Sequence, residues 1–363
     1  MQSPIKLIKT YASFVKFAHT VFALPFAIVG MAAAHALPTA FLTPGDVTGM
    51  GAGLDGFDQH LQFSWLLLAL ILCCMIGART CAMALNRILD RRIDAANPRT
   101  AGRELPSGKM TLAQAWTLAG LAALFYFGAC FMISPVVAWL SPIPITLMSV
   151  YPLMKRLTAF CHVVLGASLG LAPVGAWVAV RAMSDYAPDP GELFDAAAGW
   201  RVELFGRDAM AFGLGWSAVT ELAPWLLGGA VMLWVAGFDI VYALQDDDFD
   251  RAHRLLSIPA KLGRRGALWI SRGMHALSAA LFFGFVHVLA SPPPMRSGMD
   301  VSQYTQLASW VWTAPCVMLA GMLYQHSLVK PHDLSRVNLA FFTVNGVISV
   351  LFGAIFVAAW LLS

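Results

Sequence analysis

Charge is scarce in this 363-residue chain. Asp, Glu, Lys and Arg together make up 12% of it, while 58% is hydrophobic; soluble domains carry roughly 25% charged residues. This excludes an ordinary soluble domain and makes the chain an integral membrane protein. Cysteine is sparse and unpatterned. Cys73, Cys74, Cys81, Cys130, Cys161 and Cys316 lie within or beside apolar runs and show no CxxC spacing, which favours small buried hydrophobes over metal ligands or a disulfide framework. The first apolar run lacks a small-residue cleavage signature and is read as a retained helix. The net charge of +4 is small, and nucleic acid is not expected as a partner. No clear sequence repeat is present.

What is present is apolar sequence in long runs. A membrane-spanning helix needs about 20 residues, and nine such runs are read near 13–36, 63–85, 112–131, 136–153, 161–180, 223–243, 267–290, 307–326 and 337–361. The predicted fold class is all-α: a polytopic bundle of about nine transmembrane helices in one domain spanning 1–363. With a cytoplasmic N-terminus, 18 of the 24 Lys and Arg fall in the tail and alternate loops, against four in the opposite loops. The positive-inside rule then places the basic loops in the cytoplasm and the C-terminus outside. Segments 37–62 and 181–222 become outer-side insertions. Small residues in the fifth run, HVVLGASLGLAPVGAWVAV, predict close helix packing.

Two stretches carry chemistry. In NRILDRRIDAANPRTAGR, residues 86–103, Asn86, Asp90 and Asp94 recur every four residues and therefore share one helix face. Acid oxygens on one face suit a hard cation, and Arg99 and Arg103 behind them suit phosphate oxygens. In DIVYALQDDDFD, Asp239, Asp246 and Asp250 stand seven and then four residues apart, a narrow arc if the segment is one helix. Four carboxylates brought together would repel by roughly 3 kcal/mol per pair at about 6 Å and an effective dielectric near 20. Such a cluster requires cations. Carboxylates with water suit Mg²⁺, which typically bridges to substrate phosphates, and an apolar bundle beneath would accept a lipid tail. The substrate expected is an isoprenoid diphosphate.

These stretches resemble the UbiA superfamily of intramembrane aromatic prenyltransferases. NRILDRRID is similar to that family's NxxxDxxxD motif and DIVYALQDDDFD to its DxxYAxxDxxxD motif; RTAGREL and YPLMKR also resemble family signatures, in order and on the expected loops. The resemblance implies helices around a central cavity with a cytoplasmic cap of two motif loops. It implies one Mg²⁺ held by Asn86, Asp90 and Asp94 and another by Asp246 and Asp250, with Asp239 and Tyr242 in support. Arg99, Arg103 and Lys155 become candidates for diphosphate oxygens. Lys155 and Arg156 also fit the topology rule with no further role.

The implied reaction is Mg²⁺-dependent transfer of a polyprenyl group from its diphosphate to an aromatic acceptor, in a bacterial inner membrane. The acceptor carboxylate is expected at Lys16, His19 or Arg79. Lys16 could equally snorkel, and Arg79 could equally form a structural ion pair, although an intramembrane charge marks a site by default. Typical 4-hydroxybenzoate prenyltransferases have a basic residue and a Pro-Ile-Gly stretch where this chain reads Lys16-Phe-Ala-His19-Thr-Val-Phe. Together with NPRTAGREL and HRLLSIPAKLG, that departure resembles the family branch associated with menaquinone made through futalosine. The acceptors in view are 4-hydroxybenzoate and 1,4-dihydroxy-6-naphthoate. A haem- or chlorophyll-type member of the superfamily would differ in acceptor, and a cation transporter would also place acids on membrane helices.

Overall fold

The computed structural model describes residues 10–11, 13–14, 22–36, 63–184, 222–290 and 307–363. Lys16 and His19, nearly all of the 1–12 lead-in, the 37–62 insertion and residues 185–221 of the second insertion lie outside them. The described chain is helical, with no β-strand beyond an isolated bridge between Lys330 and Asp333. In order the helices are α1 Leu24–Ala36, α2 Trp65–Ala96, α3 Leu112–Ile133, α4 Pro135–Leu140, α5 Pro142–Leu157, α6 Cys161–Ser184 and α7 Leu222–Ala243. There follow α8 Asp247–Ala252, α9 Ile258–Ala290, α10 Thr313–Leu328 and α11 Asn345–Leu361.

Of the nine expected spans, seven appear as helices long and apolar enough to cross a membrane. The expected fourth, short as read from sequence, is completed by α4, so that Pro135–Leu157 covers 23 residues. The expected first and eighth are, within the described residues, the 13-residue α1 and the 16-residue α10. Large rings and aliphatic chains such as Trp65, Leu124, Trp139 and Trp269 stay exposed on the outer surface of the bundle, where a bilayer rather than water would meet them.

Local sequence sets the helix ends. The Ser64 hydroxyl accepts a hydrogen bond from the Leu67 N–H at the start of α2, and Thr111 and Gln114 form a reciprocal capping box on α3. Each satisfies backbone donors that a helix start leaves free. Asn97-Pro98 ends α2, because proline disfavours helical geometry in the residue before it; Asn97 is its C-cap. Ser134 reverses the chain between α3 and α4, capping α4 while Pro135 occupies its first turn. In α9, Gly263 adopts φ 70°, a left-handed conformation that glycine takes without strain, and the helix kinks there.

Helix α7 is the axis of the bundle. In its most apolar stretch 72% of residues are buried, against 17–50% in the other spans. Trp234 is fully buried and packs on Phe26 and Phe238 at ring-centroid distances of 5.2 and 5.0 Å, with Phe282 and Phe352 closing around Phe26. Three side chains of α9 then bond to backbone carbonyls of α7. The Ser271 hydroxyl donates to Gly237 (2.7 Å), His275 Nε2 to Trp234 (3.1 Å) and the Ser278 hydroxyl to Ala230 (2.6 Å). A Cβ on Gly237 would fall 2.3 Å from the His275 ring, so glycine there makes the approach possible.

On its other side α7 meets α6 backbone to backbone. A Cβ on Gly166 would lie 2.1 Å from the Met232 carbonyl oxygen, and one on Gly170 2.4 Å from that of Gly228. The close packing expected from the small residues of the fifth run is thus borne out at named contacts. Gly170→Val should cost about 1–3 kcal/mol through overpacking, read as a lower unfolding temperature of the protein in lipid nanodiscs. Gly175→Ala, where a Cβ meets nothing within 4 Å, should leave that temperature unchanged.

Candidate active site

Helix α2 carries Asn86, Asp90 and Asp94 on one unbroken helix, as the four-residue spacing predicts. Asp94 is buried and Asn86 and Asp90 are half-buried. The second stretch departs from the single helix assumed for it. After Ala243 the chain tightens to a 3₁₀ turn, Leu244–Asp246, and resumes as α8. Asp246 therefore turns toward the loop after α2, while Asp239, still on α7, turns toward α6.

The loop 97–111 folds back over these acids. Asn97 is buried; its side-chain carbonyl accepts the Arg99 N–H (2.9 Å) and its amide donates to Asp246 (3.1 Å). The Thr100 hydroxyl donates to the Asp94 backbone carbonyl (3.0 Å). So held, Arg99 reaches Asp246 through both Nε, at 2.9 Å, and Nη2, and donates from Nη1 to the Tyr242 hydroxyl at 3.0 Å. Burial works against the charge on Arg99, but Asp246 and Tyr242 outweigh it and raise its pKa.

Three further pairs complete the pattern. Arg103 donates to Asp94 at 2.6 Å, Arg156 to Asp90 at 3.2 Å, and Lys155 Nζ lies 3.9 Å from Asp250. The Lys155 carbonyl also accepts the Leu256 N–H (2.6 Å), tying the end of α5 to the loop after α8. Every candidate metal carboxylate thus faces a basic group, and both acidic stretches meet at one end of the bundle. Among the described residues no three acidic, imidazole or thiol side chains form a ready cage for a metal. Among the described residues three acid oxygens are buried without a hydrogen-bond partner: Asp94 Oδ2 and Asp250 Oδ2 of the candidate metal carboxylates, and Glu104 Oε2. Carboxylate oxygens buried without a hydrogen-bond donor are ligands that fit a hard divalent cation.

Other expected residues fall elsewhere. Asp239 bonds to His162 Nδ1 at 2.7 Å. Arg79 lies on α2 eleven residues before Asp90, about 16 Å along the helix. Its Nε is buried without a partner, and among the described residues no carboxylate pairs with it. Sequence reasoning passed over His162 and gave Arg156 no partner. A histidine inside an apolar run was the available signal. It also overlooked Arg87, 3% exposed with Nε and Nη1 unpartnered.

Membrane-length helices that gather carboxylates, arginines and a lysine at one end define an integral membrane protein with a polar mouth and an apolar interior. The chain belongs to the UbiA prenyltransferase family, whose model matches residues 56–200 and 204–347, and it is a prenyltransferase. It is 26% identical over 287 residues to a 4-hydroxybenzoate octaprenyltransferase of Yersinia pseudotuberculosis serotype IB, covering 78% of this chain and 80% of that one. A protein of the same description from Yersinia enterocolitica is 27% identical over 285 residues, covering 77% and 79%. Among solved structures, a UbiA homolog from Aeropyrum pernix K1 aligns with a TM-score of 0.64 and 28% identity over 95% of this chain and 97% of that one. A UbiA homolog from Archaeoglobus fulgidus bound to DMAPP and Mg²⁺ shares the fold, with a TM-score of 0.60 and 15% identity over 98% and 100%.

A double-mutant cycle on Arg99→Ala and Asp246→Ala should give a coupling energy of about 1–3 kcal/mol in equilibrium unfolding, as for a charge-assisted, partly buried pair. Arg156→Ala, whose side chain is 42% exposed, should cost less than about 1 kcal/mol.

Proposed function

We propose that this protein transfers a polyprenyl group from its diphosphate to a hydroxy-aromatic acid in quinone biosynthesis, with Mg²⁺ as cofactor. The observation that carries the reading is the meeting of both acidic motifs with Arg99, Arg103, Lys155 and Arg156 at a single mouth above an apolar bundle. The reading treats residues 1–363 as one domain. It places the N-terminus and mouth in the cytoplasm, the C-terminus outside, and the bundle in a bacterial inner membrane, which the distribution of Lys and Arg supports.

Asn86, Asp90 and Asp94 would hold one Mg²⁺ and Asp246 and Asp250 another, with Asp239 and Tyr242 in support. The metal supplies Lewis-acid charge that stabilises a departing diphosphate. The chain's own residues do the rest. Arg99, Arg103 and Lys155, exchanging carboxylate for phosphate oxygens, bind the diphosphate and orient the allylic carbon below it. The apolar bundle holds the prenyl chain and excludes water, which would otherwise quench the allylic cation. Arg79, Lys16 or His19 takes the acceptor carboxylate, and Arg79 is the one of the three among the described residues. The bond to diphosphate breaks, the electron-rich ring captures the allylic cation, and the ring then loses a proton.

Two acceptors suit this site. The name of the Yersinia relatives supports 4-hydroxybenzoate, and the first-span departure supports 1,4-dihydroxy-6-naphthoate. Purified protein in lipid, given labelled polyprenyl diphosphate, Mg²⁺ and both acids in competition, should prenylate one of them; no product from either would overturn the proposed acceptor class. Chelation by EDTA should abolish transfer and added Mg²⁺ restore it. Asp90→Asn and Asp246→Asn should each lower kcat at least about 100-fold, the scale expected when a group stabilising transition-state charge is lost. Arg79→Ala should raise the acceptor KM about tenfold or more while leaving the diphosphate KM within about twofold, since a buried charge-assisted bond is lost from one substrate alone.

A further inference from the structure

We infer that His162 is a positioning residue that holds Asp239 as the acceptor for a hydroxyl group of the aromatic substrate. The inference rests on the acceptor class proposed above and adds how the end of the molecule remote from its carboxylate is read.

The imidazole stands behind the carboxylate. His162 is fully buried, whereas the Asp239 side chain keeps about a tenth of its surface open. An ionised carboxylate can only accept, so the 2.7 Å contact fixes the proton on His162 Nδ1 and engages Asp239 Oδ2. Among the described residues no donor engages the other oxygen, Oδ1. Nε2 of the imidazole is buried without a hydrogen-bond partner. The pair is held by rigid elements: His162 sits on the first turn of α6, four residues before the Gly166 contact that presses α6 on α7. From α5, Tyr151 and Lys155 lie within electrostatic reach of Asp239.

Asp239 takes a different partner from the metal candidates, although Lys155 lies within electrostatic reach of Asp239, Asp246 and Asp250 alike. It precedes Asp246 by seven residues and lies on α7 itself, on the membrane side of the 3₁₀ turn that carries Asp246. A carboxylate oxygen open at that depth needs a donor, and an aromatic acid bearing a hydroxyl supplies one. Arg79, a guanidinium with no ion pair among the described residues, also lies on the membrane side of the acids. A hydroxy-aromatic acid offers a carboxylate at one end for the guanidinium and a hydroxyl at the other for Asp239. An acceptor without the hydroxyl would leave Oδ1 unpaired, which disfavours binding strongly.

The test uses the full-length protein in nanodiscs, the hydroxy-acid found to be prenylated, and its methyl ether as a competitive inhibitor. His162→Leu should raise the KM of the hydroxy-acid at least about tenfold, the scale of a lost buried hydrogen bond. The diphosphate KM and the inhibition constant of the ether should change less than about twofold, so that the preference for hydroxyl over ether collapses. His162→Asn, which keeps a donor at the Nδ1 position, should recover most of that preference. A purely structural role would lower stability without moving the hydroxyl-to-ether ratio, and an unchanged ratio in folded His162→Leu would overturn the inference. If His162→Leu does not fold, Asp239→Asn should collapse the same ratio, and retention of it would be equally decisive. Failure of the unmodified protein to prenylate either acid would overturn the proposed acceptor class and this inference with it.

Discussion

Everything at the mouth of this bundle depends on neutralising carboxylates next to an apolar interior. Four acids that would repel one another are each matched by a base: Asp246 by Arg99, Asp94 by Arg103, Asp90 by Arg156 and Asp250 by Lys155. The matching is also what assembles the site. Arg99 and Arg103 come from the loop after α2, Lys155 and Arg156 from the end of α5, and the acids from α2 and the α7–α8 junction. Charge compensation therefore joins four segments that apolar packing alone would leave free to splay. Proposed exchange of these partners for metal and phosphate would keep the mouth near electroneutrality.

The apolar part of the molecule serves this arrangement by fixing α7. Aromatic packing around Trp234 and Phe26 centres the helix, glycines at 166, 170 and 228 bring α6 to its backbone, and Ser271, His275 and Ser278 bond it to α9. The same packing that buries α7 also sets where Asp239, Tyr242 and Asp246 emerge. Structural and chemical roles are divided along one helix: its outer two-thirds pack, and its last turns carry polar groups.

Much of this was legible in the sequence because membrane helices leave strong signals. Apolar runs marked the spans, the four-residue spacing placed Asn86, Asp90 and Asp94 on one face, and Asn97-Pro98 marked the end of α2. The span count was harder, since α1 and α10 are short within the described residues and α4 supplements α5. Spacing could not show that the second motif breaks into a 3₁₀ turn at Leu244–Asp246, because such a break is set by tertiary pairing with Arg99 and Asn97. Nor could it reveal the His162–Asp239 pair, which joins residues 77 positions apart and depends on how closely α6 meets α7.

The three bonds from α9 to α7 have a consequence for motion. Their donors, at 271, 275 and 278, match carbonyls at 237, 234 and 230 in antiparallel order, so a slip of one residue would break all three at once. Nε2 of His275 donates to a carbonyl, and in the neutral ring its Nδ1 accepts from His326 Nε2 (2.9 Å), which adds α10 to the link. Helix α7 is locked in register against its neighbour and cannot ratchet. Sliding of α7 along α9 would therefore cost three hydrogen bonds together.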